Sequence, residues 1–518
     1  MKNTFRLLLI VFSFCSFNGF SQQQQQHRQN NNWFNTDPSD DRFAGVSSDK
    51  TYNILLMGLV PDTVIVAVLD GGTDVTHPDL AANIWVNPGE IAGNGIDDDN
   101  NGYVDDIHGW NFLGSKKGTV DHENIEITRQ YRAYLSAKEN KQAITPDMKK
   151  AAKVYPKELK KSQKLSSQFN KISAELAAIK KSAGSDSVRI DLVRNYQSNE
   201  KLFAKFKKLI ITEMESGSSF EDISSQINAA SSELNNEVNY HLNLDYTGRS
   251  IIGDDPSNYS DHNYGNNDVT GPEAEHGTHV AGIIGAVRDN DLGINGIAAP
   301  VKIMVVRVVP DGDEYDKDIA NGIRYAVDNG AKVINMSFGK DLSPGKSAVD
   351  AAMEYAASKD VLIVHAAGND SKNIDKGGNY PNPYLLTSGQ RIPSWLEVGA
   401  SSSSGDAARF SNYGRKTVDL FAPGVNIYST VPDSSYVSEN GTSMAAPMVS
   451  GVAAILRSYF PQLSADQVRN ILLATVTKVP FDTTKPGTKK HAGYNELCAT
   501  GGIVNAFKAV EMAKGIGK

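Results

Sequence analysis

Three short stretches could do chemistry: Val66–Asp74 (VAVLDGGTD), His276–Gly282 (HGTHVAG) and Gly441–Pro447 (GTSMAAP). They offer an aspartate, a histidine and a serine in that order, each beside small residues that admit close backbone approach. Acyl transfer by a serine needs these groups. A hydroxyl has too high a pKa to attack alone, so an imidazole must take its proton and a carboxylate must hold the imidazole's tautomer. Asp70 ends an apolar run, where a carboxylate stays ionised only if hydrogen-bonded or facing a cation. An imidazolium formed during attack would be that cation. Ser443 opens an apolar helical stretch that runs to Phe460, and a helix N-terminus stabilises negative charge developing on a substrate oxygen. Pro447 is tolerated there because first-turn N–H groups lack intrahelical partners. Taken singly, the stretches also read as an Asp-Gly-Gly turn, a core or surface histidine and an N-capping serine.

The order Asp…His…Ser, with His77-Pro78-Asp79-Leu80 and Ala366-Ala367-Gly368-Asn369, resembles the subtilase family of serine endopeptidases. The likeness covers roughly residues 60–112 and 250–515. It implies that Asp70 orients His276, that His276 is the general base and Ser443 the nucleophile, and that Asn369 completes an oxyanion hole. It further implies that Ser337-Phe338-Gly339, with Ala367 and Gly368, lines an extended peptide substrate bound by strand addition. His279, three residues after His276, reads as structural; the glutamate of a zinc-protease helix is missing between them. The chain departs from the family at Gly71, where a hydroxyl residue is usual and could help hold the carboxylate. Two rival readings use the same residues: an inactive scaffold that kept the fold, and a peptide ligase in which an amine replaces water.

These groups need a scaffold. Thr63–Leu69 reads as a buried strand, and further apolar strands follow at Val301–Val309, Lys332–Met336 and Val361–His365. Amphipathic stretches at Asp318–Asn329 and Ser347–Ser358 lie between them. Strand alternating with helix predicts an α/β fold, a subtilisin-like parallel sheet with helices on both faces. Function then gathers at the carboxyl ends of strands, where Asp70 stands.

Residues 113–245 break this alternation and read as an all-helical insertion. Leu165, Phe169, Ile172, Leu176 and Ile179 recur at helical spacing, as do Ile223, Ile227, Ala230 and Leu234. Gly184-Ser185-Asp186 and Gly217-Ser218-Ser219 supply breaks and caps. Over 129–216 there are 20 Lys+Arg against 9 Asp+Glu, on a chain whose net charge is -8. Such a basic arm reads either as solvated helix faces or as a surface that docks a partner or the catalytic domain. The catalytic domain is thus read as 46–112 and 246–518. The overall acidity argues against a nucleic-acid partner, and the partners implied are polypeptide substrates.

The N-terminus reads as an export signal over residues 1–21: Lys2 and Arg6, the apolar Leu7–Phe17, then Gly19-Phe20-Ser21. Its apolar run is too short to span a bilayer, so no transmembrane span is expected in the mature protein. This predicts a secreted, periplasmic or cell-envelope protein. Residues 22–45 read as a polar, mobile segment, and the 48 residues Gln22–Leu69 that precede Asp70 leave too little room for a folding-assistant pro-domain. The two cysteines, Cys15 and Cys498, leave one thiol after processing and no internal disulfide. No organic cofactor is implied. Asp97, Asp99, Asn101 and Asp105, with Gly102 at the sixth position, resemble a calcium loop, although His108 stands where a bidentate glutamate is usual. The same residues also read as a solvated Asx-rich turn. Asp79 matches a position that binds structural calcium in relatives.

Overall fold

The computed structural model describes residues 31–40, 42–184 and 187–516; the predicted export signal lies outside them. Its main sheet takes β1 (Val64–Asp70), β2 (Gly109–Asn111), β3 (Val301–Arg307), β4 (Val333–Met336), β5 (Leu362–Ala366), β6 (Trp395–Ser401) and β7 (Leu420–Pro423). A hairpin of β8 (Ile427–Val431) and β9 (Ser435–Glu439) stands apart, and β10 (Thr477–Lys478) and β11 (Gly502–Ile503) complete the sheet's edge. The nine strands run in the order β10-β11-β7-β6-β5-β4-β1-β3-β2, parallel at each pairing except β10 with β11. Chain order reverses around β1, which has β3 on one side and β4 on the other. A crevice opens at the carboxyl ends of strands at such a point.

β1 shows why the strands read as nearly unbroken apolar runs. Val64, Val66 and Val68 enter one core, while Ala67 and Leu69 enter a second on the opposite face. A parallel sheet covered on both sides needs apolar residues at both parities.

Residues 127–247 form a compact unit of their own. Its core joins α1 (Pro146–Ala183), α2 (Lys201–Glu215) and α3 (Phe220–Asn236). The predicted seam of Leu165, Phe169, Ile172, Leu176 and Ile179 is buried with Ile223, Ile227 and Leu234, and Phe203, Phe206 and Ile210 of α2 close it. Gly184 ends α1 at φ 61, a left-handed cap that costs glycine little. Ser219 caps α3 by accepting the Asp222 N–H at 3.0 Å.

In the other unit, α4 (Ala274–Gly285) and α7 (Thr442–Tyr459) pack on the first face of the sheet through Val280, Ile283, Ile284, Met448, Val452 and Leu456. The second face takes α5 (Asp316–Asp328) and α6 (Lys346–Ser358) through Ile319, Ile323, Val349 and Met353. The chain is therefore α/β with a mostly parallel, two-sided sheet and an all-helical insertion. Residues 31–40 and 42–45 depart from the expected mobile segment. Trp33 and Phe34 are buried in the first core, and the Asn35 amide donates to the Asn295 carbonyl at 2.8 Å. Two aromatic anchors offset the cost of ordering an otherwise polar stretch.

Candidate active site

Asp70 closes β1 and is buried. Its Oδ1 accepts from the Gly71 N–H at 2.8 Å and lies 2.8 Å from His276 Nδ1; its Oδ2 is buried with no hydrogen-bond partner. The pairing fixes the imidazole tautomer, because a carboxylate can only accept, so Nδ1 carries the proton. Close approach of α4 makes this contact. A methyl carbon built on Gly277 would stand 2.0 Å from the Gly72 carbonyl oxygen and 3.2 Å from Asp70 Cβ, so a glycine is required beside the histidine. Arg307, in register with Asp70 on β3 and fully buried, clamps the turn that follows. Its guanidinium donates to the carbonyls of Gly71 (2.6 Å) and Val120 (2.8 Å) and to Asn111 Oδ1 (3.1 Å).

Ser443 is the second residue of α7, where N–H groups have no intrahelical acceptor. Its hydroxyl donates to the Ser337 carbonyl at 3.0 Å, and Ser337 Oγ donates back to the Ser443 carbonyl at 2.8 Å. Among the described residues no hydrogen bond joins Ser443 to His276. Such bonds are commonly long in a substrate-free site. Asn369 follows β5. Its Oδ1 accepts from Thr442 N and Thr442 Oγ1, both at 2.9 Å, which orients Nδ2 the other way. A methyl carbon on Gly441 would lie 3.5 Å from Asn369 Nδ2 and 3.5 Å from Ser443 N, so both donors border one space beside Gly441. A carboxylate, an imidazole, an alcohol and two convergent N–H donors are the groups that acyl transfer uses.

A sequence model of the subtilase family matches residues 62–495. The chain belongs to the subtilase family. It is a subtilisin-like serine endopeptidase. Subtilisin DY of Bacillus licheniformis is 40% identical over 206 residues, 39% of this chain and 71% of the relative. Thermitase of Thermoactinomyces vulgaris is 39% identical over 237 residues, 46% and 75% of the two chains. The thermostable alkaline protease of Halalkalibacterium halodurans is 36% identical over 247 residues, 48% and 61%.

Electrostatics around the histidines of this subtilase divide them sharply. Partial burial opposes charge on the half-exposed His276, but the Asp70 carboxylate outweighs it, with help from Glu439 and Glu275, and the pKa is pushed up to about 9. Burial lowers His279 to about 4, and the neighbouring His276 adds to the effect. His279 Nε2 faces the carbonyls of Ile427 (3.0 Å) and Val437 (3.2 Å), a structural tie from α4 to the hairpin. Sequence reasoning missed Glu439, at the end of β9. Burial pushes its carboxyl up to about 7, opposed by the His276 charge and reinforced by Glu275 and Asp70. Nothing in its local sequence marks it; only the packing of the hairpin on α4 does.

Of the substrate-lining candidates, Ser337 is tied to Ser443 as above, and the Gly368 N–H donates to Thr442 Oγ1 at 3.0 Å. Ala367 is buried and Phe338 half-buried. These segments therefore flank Ser443 from the ends of β4 and β5.

Calcium is an ion that the family commonly binds, and the acidic loop offers ligands for it. Glu90, Asp99 and Asp106 each place a carboxylate oxygen within 4.8 Å of the others, a hard-oxygen set that suits such an ion. Only Asp99 of that trio belongs to the predicted ligands. The Asp105 carboxylate is taken up by the N–H groups of Gly93, Asn94 and Gly95, and Asp97 accepts from those of Asn101 and Gly102. The Asn101 amide donates to Asp99 and Asp106, both at 3.2 Å, while its Oδ1 accepts the Tyr103 N–H. Asp79 accepts from Asn290 Nδ2 (2.8 Å), Ile294 N (3.3 Å) and Tyr436 OH (3.3 Å), so its charge is met by protein donors.

Proposed function

We propose that this subtilase is an exported endopeptidase in which Ser443 attacks the peptide carbonyl, His276 takes its proton and Asp70 stabilises the imidazolium. Asn369 Nδ2 and the Ser443 N–H hold the oxyanion, and water resolves the acyl-enzyme. The peptide lies extended between Ser337-Phe338-Gly339 and Ala367-Gly368, bound by backbone pairing. The 2.8 Å contact between His276 and Asp70 is the observation that carries this reading, with Ser443 at the second position of a helix. Export rests on residues 1–21 and on the habits of the family; among the described residues no helix is long and apolar enough to cross a membrane. A structural calcium at Glu90, Asp99 and Asp106 would offset the mutual repulsion of these carboxylates.

A fluorophosphonate probe should label the purified protein at Ser443. Ser443→Ala should abolish both labelling and peptide hydrolysis while leaving the circular dichroism spectrum unchanged. Hydrolysis retained by that variant would refute the nucleophile assignment. Wild-type protein that neither labels nor hydrolyses would favour an inactive scaffold.

A further inference from the structure

The two proposed substrate-lining segments bring Gly339 and Gly368 close to a single atom. A methyl carbon on Gly339 would stand 2.6 Å from Asn379 Oδ1, and one on Gly368 would stand 3.6 Å from the same oxygen. Asn379 therefore closes the gap between the segments from below. Its chain neighbour holds it there, since Tyr380 and Lys340 exchange both backbone hydrogen bonds at 2.9 Å. The gap opens beside the nucleophile, because Ser337 is bonded to Ser443 and Gly368 to Thr442. An extended peptide threaded between the segments would drop into it the side chain of the residue whose carbonyl is attacked.

The direction of the Asn379 amide is fixed by chemistry. Nδ2 donates to the Ala366 carbonyl at 3.2 Å and to Glu397 Oε1 at 3.1 Å. Glu397 is almost wholly buried and also accepts from His365 Nδ1 (3.1 Å) and from Trp395 Nε1 (2.9 Å). The Ala366 carbonyl can only accept, and Glu397 already accepts from His365 and Trp395, so the amide cannot turn over without losing both bonds. This leaves Oδ1 on the side of the gap, where no described residue donates to it. Phe338, whose ring centroid lies 6.3 Å from that of His365, supplies an apolar wall beside the same cluster.

Resting on the peptidase reading above, we infer that Asn379 Oδ1 is the floor of the specificity pocket. The enzyme then prefers a long residue tipped with an N–H donor, lysine or arginine, on the acyl side of the scissile bond. The aliphatic stem runs along Phe338 and the cationic tip meets an acceptor backed by the Glu397 carboxylate. Glu397 acts as a positioning residue, through Asn379.

The test uses the full chain and matched peptides that carry lysine, norleucine or phenylalanine at that position. Active enzyme is counted by fluorophosphonate titration. The expected kcat/KM for lysine exceeds that for norleucine, equal in length but lacking the ammonium, by about tenfold or more. Asn379→Ala should bring the ratio close to one, and Glu397→Gln, which lets the amide turn, should lower it in the same sense. Asn379→Asp, which puts a full charge at the floor, should raise it, and keeps the idea testable where the alanine variant does not fold. Equal wild-type rates, or a ratio unmoved by Asn379→Ala or by Asn379→Asp, would overturn the assignment. Protein that labels and hydrolyses without preference sinks this inference alone; protein that does neither sinks the peptidase reading with it.

Discussion

Asp70 Oδ2, buried without a partner, sits beside Gly71, whose family counterpart usually bears a hydroxyl. A methyl carbon on Gly71 would stand 3.0 Å from the Glu273 carbonyl oxygen and 3.2 Å from that of Val309, so any side chain there forces a small adjustment. Comparing Gly71→Ser with Gly71→Ala cancels that cost and leaves only the hydroxyl. The serine variant should exceed the alanine variant in kcat by about tenfold, the worth of one hydrogen bond to a charged carboxylate at the low end of its range; equal values would mean that Oδ2 needs no donor. The raised His276 gives a second expectation. Below a pKa of about 9 the imidazole is mostly protonated and cannot take the Ser443 proton, so kcat/KM should climb with pH through that region. Glu439 is ionised above about 7 and helps hold the proton on His276, so Glu439→Gln should move the rising limb toward lower pH. A profile already flat at neutral pH would contradict this charge arrangement. Asp70, His276 and Ser443 were legible in the sequence because each needs small neighbours for close backbone approach, and those neighbours form a pattern. Glu439 and Asn379 were not, since an isolated glutamate or asparagine acquires its role from which strand end it meets.

At the scale of elements, periodic segments announced themselves and irregular ones did not. The seam from Leu165 to Ile179 was readable because a helix repeats its buried face every three to four residues. The acidic loop was only half readable. Alternating Asp97, Asp99, Asn101 and Asp105 suggested one continuous ligand run, but Asp105 adopts φ 53 and turns its carboxylate into backbone N–H groups. Asp99 instead meets Glu90, from before the run, and the buried Asp106. Burial lifts Asp106 to about 6, opposed by hydrogen bonds from Tyr325, Asn87 and Asn101 and aided by Asp99. Without a cation, its contribution to stability is fully present below the unfolded value near 3.8 and shrinks as pH rises through about 6. A bound divalent ion would reverse that loss. Chelation near pH 8 should therefore lower the melting temperature by several degrees, calcium should restore it, and Asp106→Asn should be insensitive to both. An unchanged wild-type melting curve would leave the loop as a hydrogen-bonded turn.

The whole molecule divides its labour by charge and by connectivity. Residues 129–216 hold 20 Lys+Arg and 9 Asp+Glu, whereas the full chain holds 52 and 60, so the acidic excess lies wholly outside the helical stretch. No residue of the proposed catalytic set comes from 127–247, and the helices there bury their own apolar seam. The points where the chain leaves and re-enters the sheet unit are close: the Gly248 N–H donates to Glu123 Oε1 at 3.4 Å, and a methyl carbon on Gly248 would lie 2.5 Å from the His122 carbonyl oxygen. A short flexible linker can therefore span the excision without straining β1, α4 or α7. Replacing 127–247 by a few glycine and serine residues should yield a protein that folds cooperatively and keeps fluorophosphonate labelling at Ser443. Its net charge should be markedly more negative, which ion-exchange retention would register. Loss of labelling in a folded, cooperatively melting excision variant would mean that the helical unit supports the catalytic geometry; retained labelling would free it for a role in choosing what the enzyme meets.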